Sequence, residues 1–408
     1  MSNFDSLFNE YANTKNGDVY AFCEKYKSNS VATRFLLIRS FDSGNLKKLL
    51  TTHNISFSSG KEKELMQIAY DSNITIKDLL DYIEAKRPEL IKEREKEVAG
   101  LEEVLKQIPI VGCGVRNDNV DTIVQAFTRN KNLKTYEELE TSLNNDILSR
   151  VKQYCLWSYY NQTSNDIIEL FFLKHKNVIP TLRKIYNIDF FLRVDDEIIP
   201  FDLKITHVSD DYFELASRGI SVANNMHDDF IVNKENISEL ETIKAYYKEY
   251  KKTHKQLSLA NISEFKTDTK AALSNYIISL DSKSADFIIK LQQAHAAYVP
   301  ADQDALKMLE WWNYKYQGER LFCNNNRLFV FLAYKTKFVD GRDLKGNTTE
   351  IERKINALLD SLSKKSIHTI KYHYEKDPKL IGDYTVYSLS TIFYFINSAH
   401  ILTILETL

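Results

Sequence analysis

The chain has 408 residues, 43% of them hydrophobic and 12% aromatic, which excludes wholesale disorder and leaves enough apolar mass for a sizeable core. Its 54 basic and 56 acidic residues give a formal net charge of −2, so affinity for a polyanion has to come from a local basic cluster. The four cysteines are scattered without a CxxC pair, which points to neither a disulfide framework nor a zinc site.

The N-terminal residues MSNFDSLFNEYANTKNG lack the basic and apolar regions of a signal peptide, and no apolar run approaches the ~18 residues of a membrane helix. A soluble, cytoplasmic (bacterial) protein is expected. The length predicts two or three domains, and only 11 glycines and 6 prolines favour long helices. Residues 1–150 read as a helical N-terminal domain, since KEKELMQIAYD, TIKDLLDYIEAKRPELIKEREKEVAGLEEVLKQI and TYEELETSLNNDILSRVKQYCLWSYY carry apolar residues at helical spacing. Thr75 is the expected cap of the second segment, with Asp78 completing a capping box. Gly112-Cys113-Gly114 lacks the spacing of a nucleotide loop and reads as a turn.

A helix opened by Ser164 or Asn165 is expected next, carrying Glu169 and broken by Pro180 before a strand. The following segment, NIDFFLRVDDEIIPFDLKIT, reads as a hairpin turning between Asp195 and Asp196. Paired positions then sum to about 391, so Phe190 faces Phe201 and Asp189 faces Asp202. One face is apolar (Ile188, Phe190, Leu192, Ile199, Phe201, Leu203, Ile205), and the other carries Asp189, Asp202 and Lys204. Directly opposed carboxylates about 4.5–5.5 Å apart at Cβ destabilise a sheet. A divalent cation removes that conflict, and paired carboxylates are the usual hard-oxygen ligands of Mg²⁺. Lys204 adds a point charge able to orient a water and offset developing negative charge.

Residues 207–320 read as a largely helical insertion. Within it, TIKAYYKEYKKTHKQL gathers Lys244, Lys248, Lys251, Lys252 and Lys255 with three interleaved tyrosines, a candidate phosphate-contacting surface. His207, close to Lys204, reads as a structural histidine. A helix from Ala305 to Gln317, closed by Gly318, precedes the short apolar run RLFVFLAY (Arg327 to Tyr334), whose length and aromatic content predict a buried strand. TIKYHYE and YTVYSLSTIFYFI are candidate strands near the C-terminus, the latter with a helix start as its alternative.

The spacing Asp189…Asp202-Leu203-Lys204 resembles the core of the PD-(D/E)xK nuclease superfamily, the fold of type II restriction endonucleases. Asp189 matches the first acid, Asp202 the second and Lys204 the lysine, while Ile188 stands where the family name has proline. The resemblance implies an α/β (α+β) restriction-endonuclease-like αβββαβ core with a mixed central sheet, in a nuclease domain over 151–408 that holds the insertion. It implies Mg²⁺, with Mn²⁺ as a substitute, held by Asp189, Asp202, the Leu203 carbonyl and Glu169, with Asp166 as the competitor for the last role. It further implies a homodimer that cuts double-stranded DNA at a specific site, paired with a companion methyltransferase. The N-terminal domain would serve recognition or dimerisation. A repair or phage-defence nuclease without strict specificity, and a non-catalytic DNA- or protein-binding module, are the alternatives.

Overall fold

A computed structural model describes residues 3–13, 19–26, 31–58, 60–108, 127, 135–221, 231–232, 237–265, 269–318, 322–339 and 341–395. Short helices lead the chain: α1 (Asn3–Asn13), α2 (Val19–Lys25), α3 (Val31–Arg39), α4 (Ser43–Thr52) and α5 (Glu62–Asp71). The longer α6 (Ile76–Val98) and α7 (Leu101–Gln107) follow. Local chemistry fixes the starts. Asp42 accepts the Asn45 N–H at 2.9 Å to cap α4, and Thr75 with Asp78 forms the predicted reciprocal box at α6. Phe35, Leu36, Leu49, Leu65 and Ile83 bury the inner faces of these helices against Ile179, Ile185, Ile188 and Phe191 of the sheet. The Gly112-Cys113-Gly114 turn lies outside the described residues.

After α8 (Tyr136–Ser142) and the long α9 (Leu148–Lys174) come three consecutive strands. These are β1 (Val178–Ile185), β2 (Ile188–Val194) and β3 (Glu197–His207). Beyond α10 (Asp210–Ser217) and a two-residue ladder of β4 (Ile220–Ser221) with β5 (Ile231–Val232) lie α11 (Glu239–Thr253), α12 (Thr269–Ile278), α13 (Ser282–His295) and α14 (Gln303–Lys315). The described part of 207–320 is therefore mainly helical. The chain then adds β6 (Arg327–Tyr334), α15 (Thr348–Asp360), β7 (His368–Tyr374) and β8 (Gly382–Phe395). Both candidate C-terminal segments are strands.

Among the described residues the main sheet has six strands in the order β1-β2-β3-β6-β8-β7. The first three are antiparallel neighbours, β3 with β6 and β6 with β8 run parallel, and β7 closes antiparallel on β8. This is a mixed α/β architecture. One face packs Ile168 and Phe172 of α9 and Ile351, Ile355 and Leu359 of α15 over Phe190, Leu192, Phe201, Leu328 and Val330. The other face lies under α14, where Leu309 and Tyr314 meet Phe329, Phe331, Ile370 and Tyr372. Covered on both faces, β6 needs the continuous apolar run it has. The helices of the insertion form a smaller core with Phe338, just after β6.

Three sequence expectations are corrected. Ser164 and Asn165 do not open a helix, because α9 runs through them. The Ser164 hydroxyl donates back to the Asn161 carbonyl at 3.1 Å, and Asn165 accepts from Lys345 at 2.8 Å. Pro180 does not break the helix either, since it sits inside β1 opposite Phe190. It is tolerated there because β1 is an edge strand, where a missing N–H costs no ladder bond. Finally, Ile188 leaves the face of Phe190 and packs with Phe191 and the N-terminal helices. The register of β1 on β2 shifts between Pro180 and Ile185, and that irregularity breaks the alternation at the start of β2.

Candidate active site

The β2–β3 hairpin takes the register read from the sequence, with Phe190 opposite Phe201 and Val194 opposite Glu197 across the Asp195-Asp196 turn. Asp195 supplies the left-handed residue such a turn needs, at φ 51°. At the far end of the hairpin the two strands part company. Asp202 donates its N–H to the Asn326 carbonyl at 2.9 Å and begins the parallel ladder with β6. Asp189 fills the space left on the β2 side, its Oδ2 accepting the Leu203 N–H at 2.8 Å. The two acids thus meet where β3 changes partner.

Their electrostatics follow from that position. Desolvation first, and then the Asp202 carboxylate, push the Asp189 carboxyl up to about 7, against the easing effect of the Leu203 N–H. Glu169 contributes to the same rise from α9. Its own carboxyl is raised by burial and relieved by Arg94 of α6, whose guanidinium lies 3.8 Å away. A cleft of about 300 Å³ opens between α6, α9 and the β1–β2 end of the sheet, and Arg94, Glu169, Lys184, Asp189 and Leu203 line it.

Asp202 and Lys204 share the opposite side of β3 from Leu203 and do not line that cleft. In the parallel register Asp202 stands beside Arg327 and Lys204 beside Phe329. Arg327 Nε approaches Asp202 Oδ2 at 3.4 Å. The guanidinium is buried, donates from Nη1 to Gln317 Oε1 at 3.0 Å, and lies 5.3 Å from the centroid of the Tyr314 ring. Burial opposes the charge on Arg327, but Tyr314 and Asp202 outweigh it and raise its pKa. Nearby, burial raises the Cys323 thiol, while Arg327 and Lys204 lower it.

The Asn324-Asn325-Asn326 turn fastens this end of the sheet. Asn326 Nδ2 donates to the Pro200 carbonyl at 3.1 Å and its Oδ1 accepts the Tyr387 N–H at 2.9 Å, while the Asn325 carbonyl accepts the Tyr314 hydroxyl at 2.9 Å.

The structure therefore sets Asp189 against the Leu203 N–H and near enough to Asp202 to raise its carboxyl. The β2–β3 ladder stops at Phe190–Phe201, so the two acids are not the directly opposed pair read from the sequence. Asp189, Leu203 and Glu169 line the cleft without Asp202 and Lys204. Leu203 contributes its N–H to the pair. Asp166 accepts from Gln162 at 2.9 Å and does not line the cleft. Among the described residues, no group of three His, Cys, Asp or Glu side chains is gathered closely enough to hold a metal ion.

The lysine-rich segment forms α11, away from the cleft lining. There Lys251 donates to the Leu259 and Ala260 carbonyls at 3.3 and 3.1 Å and to Asn261 Oδ1, and Lys252 pairs with Glu249 at 3.0 Å. Lys248 and Lys255 are exposed and Lys244 is half-buried. Sequence reasoning missed Arg94, Lys184 and Arg327. Only Arg327 carried a local signal, as a charge at the head of an otherwise apolar strand.

Comparison with protein-family models, with curated proteins and with solved structures found no match to this chain. Among the described residues no helix is long and apolar enough to cross a membrane.

Proposed function

We propose that this chain is a Mg²⁺-dependent DNA endonuclease with a restriction-endonuclease-like core, cutting double-stranded DNA at a specific site in the manner of a type II restriction enzyme. The observation that carries the reading is the Asp189–Asp202 pair at the point where β3 leaves β2 for β6, with Lys204 two residues on. The strand order supports it, because a helix, three antiparallel strands, a helix and a parallel strand occur in the sequence that an αβββαβ core requires. Two carboxylates in mutual repulsion, one of them lining an open cleft, fit one hard divalent cation, which takes one or two protein carboxylates and completes its shell with water and phosphate.

Asp189, Asp202 and the Leu203 carbonyl would hold the ion, and Glu169 would orient its surroundings. The cation, when bound, supplies Lewis-acid polarisation of the scissile phosphate and lowers the pKa of an attacking water. Lys204 orients that water and offsets negative charge growing on the phosphoryl oxygens. Arg94, Arg183 and Lys184 stand in the cleft among Glu93, Glu97, Glu169 and Asp189, and would be its contacts to the DNA backbone.

Incubation of unmethylated supercoiled plasmid with Mg²⁺ tests the proposal. Discrete fragments are expected, with Asp202→Ala and Lys204→Ala each slowing cleavage by at least about a hundredfold. A smear replaces site specificity with general nuclease activity, and intact DNA points to a binding module. Variants that cut as fast as the parent overturn the site.

A further inference from the structure

We infer that Arg327 is a built-in counter-ion to Asp202 that offsets part of the pair's negative charge, so that the acid pair takes a single divalent ion. This rests on the reading of Asp189 and Asp202 as a cation site, and it adds a residue that the motif does not contain.

Four observations carry it. The parallel register sets Arg327 directly beside Asp202, and the ion pair closes at 3.4 Å on Oδ2. The guanidinium cannot swing away, because it is buried, bonded to Gln317 Oε1 at 3.0 Å and packed on the Tyr314 ring. Tyr314 is in turn fully buried and tied to the Asn325 carbonyl at 2.9 Å, so the whole support is rigid. Finally, Glu169, the acid that would complete a second cation's shell, sits across the cleft with Arg94 at 3.8 Å.

Each carboxylate of the pair therefore has its own internal donor: the Leu203 N–H for Asp189, and Arg327 for Asp202. A fixed positive charge on one side of Asp202 leaves room for one mobile cation on the Asp189 side. It also weakens that cation's affinity by like-charge repulsion. Arg327 is thus a positioning residue, acting through Asp202 on whatever the pair binds.

The test uses the full-length protein and two readouts that do not need cleavage. In EDTA, thermal unfolding of the parent, Arg327→Met, Asp202→Asn and the double variant forms a double-mutant cycle. A counter-ion predicts that Arg327→Met lowers the melting temperature and that Asp202→Asn restores most of the loss. With Ca²⁺ as a non-hydrolysing probe, calorimetric titration of the parent is expected to give one ion per chain. Arg327→Met is expected to bind Ca²⁺ at least about fivefold more tightly, or to accept a second ion, while Arg327→Lys stays near the parent. If Arg327→Met does not fold, the neutral polar variant Arg327→Gln, with and without Asp202→Asn, supplies the cycle. Additive losses in the cycle overturn the counter-ion, and unchanged Ca²⁺ affinity and stoichiometry in Arg327→Met overturn its control of the site. A parent that binds no Ca²⁺ yet shows the coupling defeats the cation site, and with it the one-ion claim, while the ion pair stands.

Discussion

Replacing Asp189 with Asn should make the protein more stable at pH 8 and stabilise it much less at pH 4.5. The folded carboxyl is raised from the ordinary 3.8 to about 7, by burial and by Asp202. A raised folded pKa means that folding takes up a proton. The favourable contribution is complete below the unfolded pKa, and it is lost as pH climbs from about 4 to about 7. Above that range the parent carries the full penalty of ionising Asp189 beside Asp202, and asparagine carries none. A rise of this size corresponds to about 4 kcal/mol without screening. The Asp189 side chain is reached by solvent, so screening reduces the figure to about 1–2 kcal/mol. In a chain of this length that is a gain of about 1–2 °C in melting temperature. Asparagine keeps the Leu203 N–H satisfied through its Oδ1, so the substitution isolates the charge. Differential scanning calorimetry and urea unfolding in EDTA at both pH values read the effect. An equal difference at pH 4.5 and pH 8, or a less stable variant at pH 8, would refute the like-charge account of the pair.

Two further outcomes follow from the fold. A Cβ placed on Gly341 would lie 2.6 Å from the Leu332 carbonyl oxygen and 2.8 Å from its carbon, both backbone atoms of β6. Gly341→Ala should therefore cost about 1–3 kcal/mol, and a urea midpoint equal to the parent's would contradict that contact. Lys270, buried, faces Glu214 at 2.9 Å, Glu239 at 3.1 Å and Asp210 at 3.4 Å. Lys270→Met should cost about 3–5 kcal/mol and raise hydrogen exchange across α10 to α13 while the main sheet stays protected. Unchanged exchange in those helices would show that the cluster does not hold them.

The parts of the site that sequence made legible are those encoded by short-range geometry. Period-two alternation and an Asp-Asp turn were enough to set the register from Val194 on Glu197 to Phe190 on Phe201, whereas Asp189, beyond the last ladder pair, turns to the Leu203 N–H. The apolar run at β6 and the capping box at Thr75 are likewise local signals, and both elements formed. What was not legible depends on partners distant in the chain. β1 was missed because Pro180, Thr181, Arg183 and Lys184 spoil its alternation, a pattern that an edge strand tolerates. Ser164 and Asn165 look like caps because those residue types usually are, yet Asn165 is held inside α9 by Lys345, 180 positions later. Arg327 meets Asp202 across 125 positions, and no pattern within β3 or β6 announces a parallel pairing of that span.

That span also orders the events of synthesis. The β2–β3 hairpin and the N-terminal helices it packs against leave the ribosome long before β6 exists, because the insertion has to be translated between them. Through that interval Asp202 has no guanidinium beside it, and the inner edge of β3 has no strand to pair with. Closing a loop of this length costs only a little more entropy than closing a short one, but it cannot begin until Arg327 has been made. The nascent chain therefore carries the two acids unneutralised until the same strand that completes the sheet also delivers the charge that quiets them. Assembly of the fold and assembly of the site are one event.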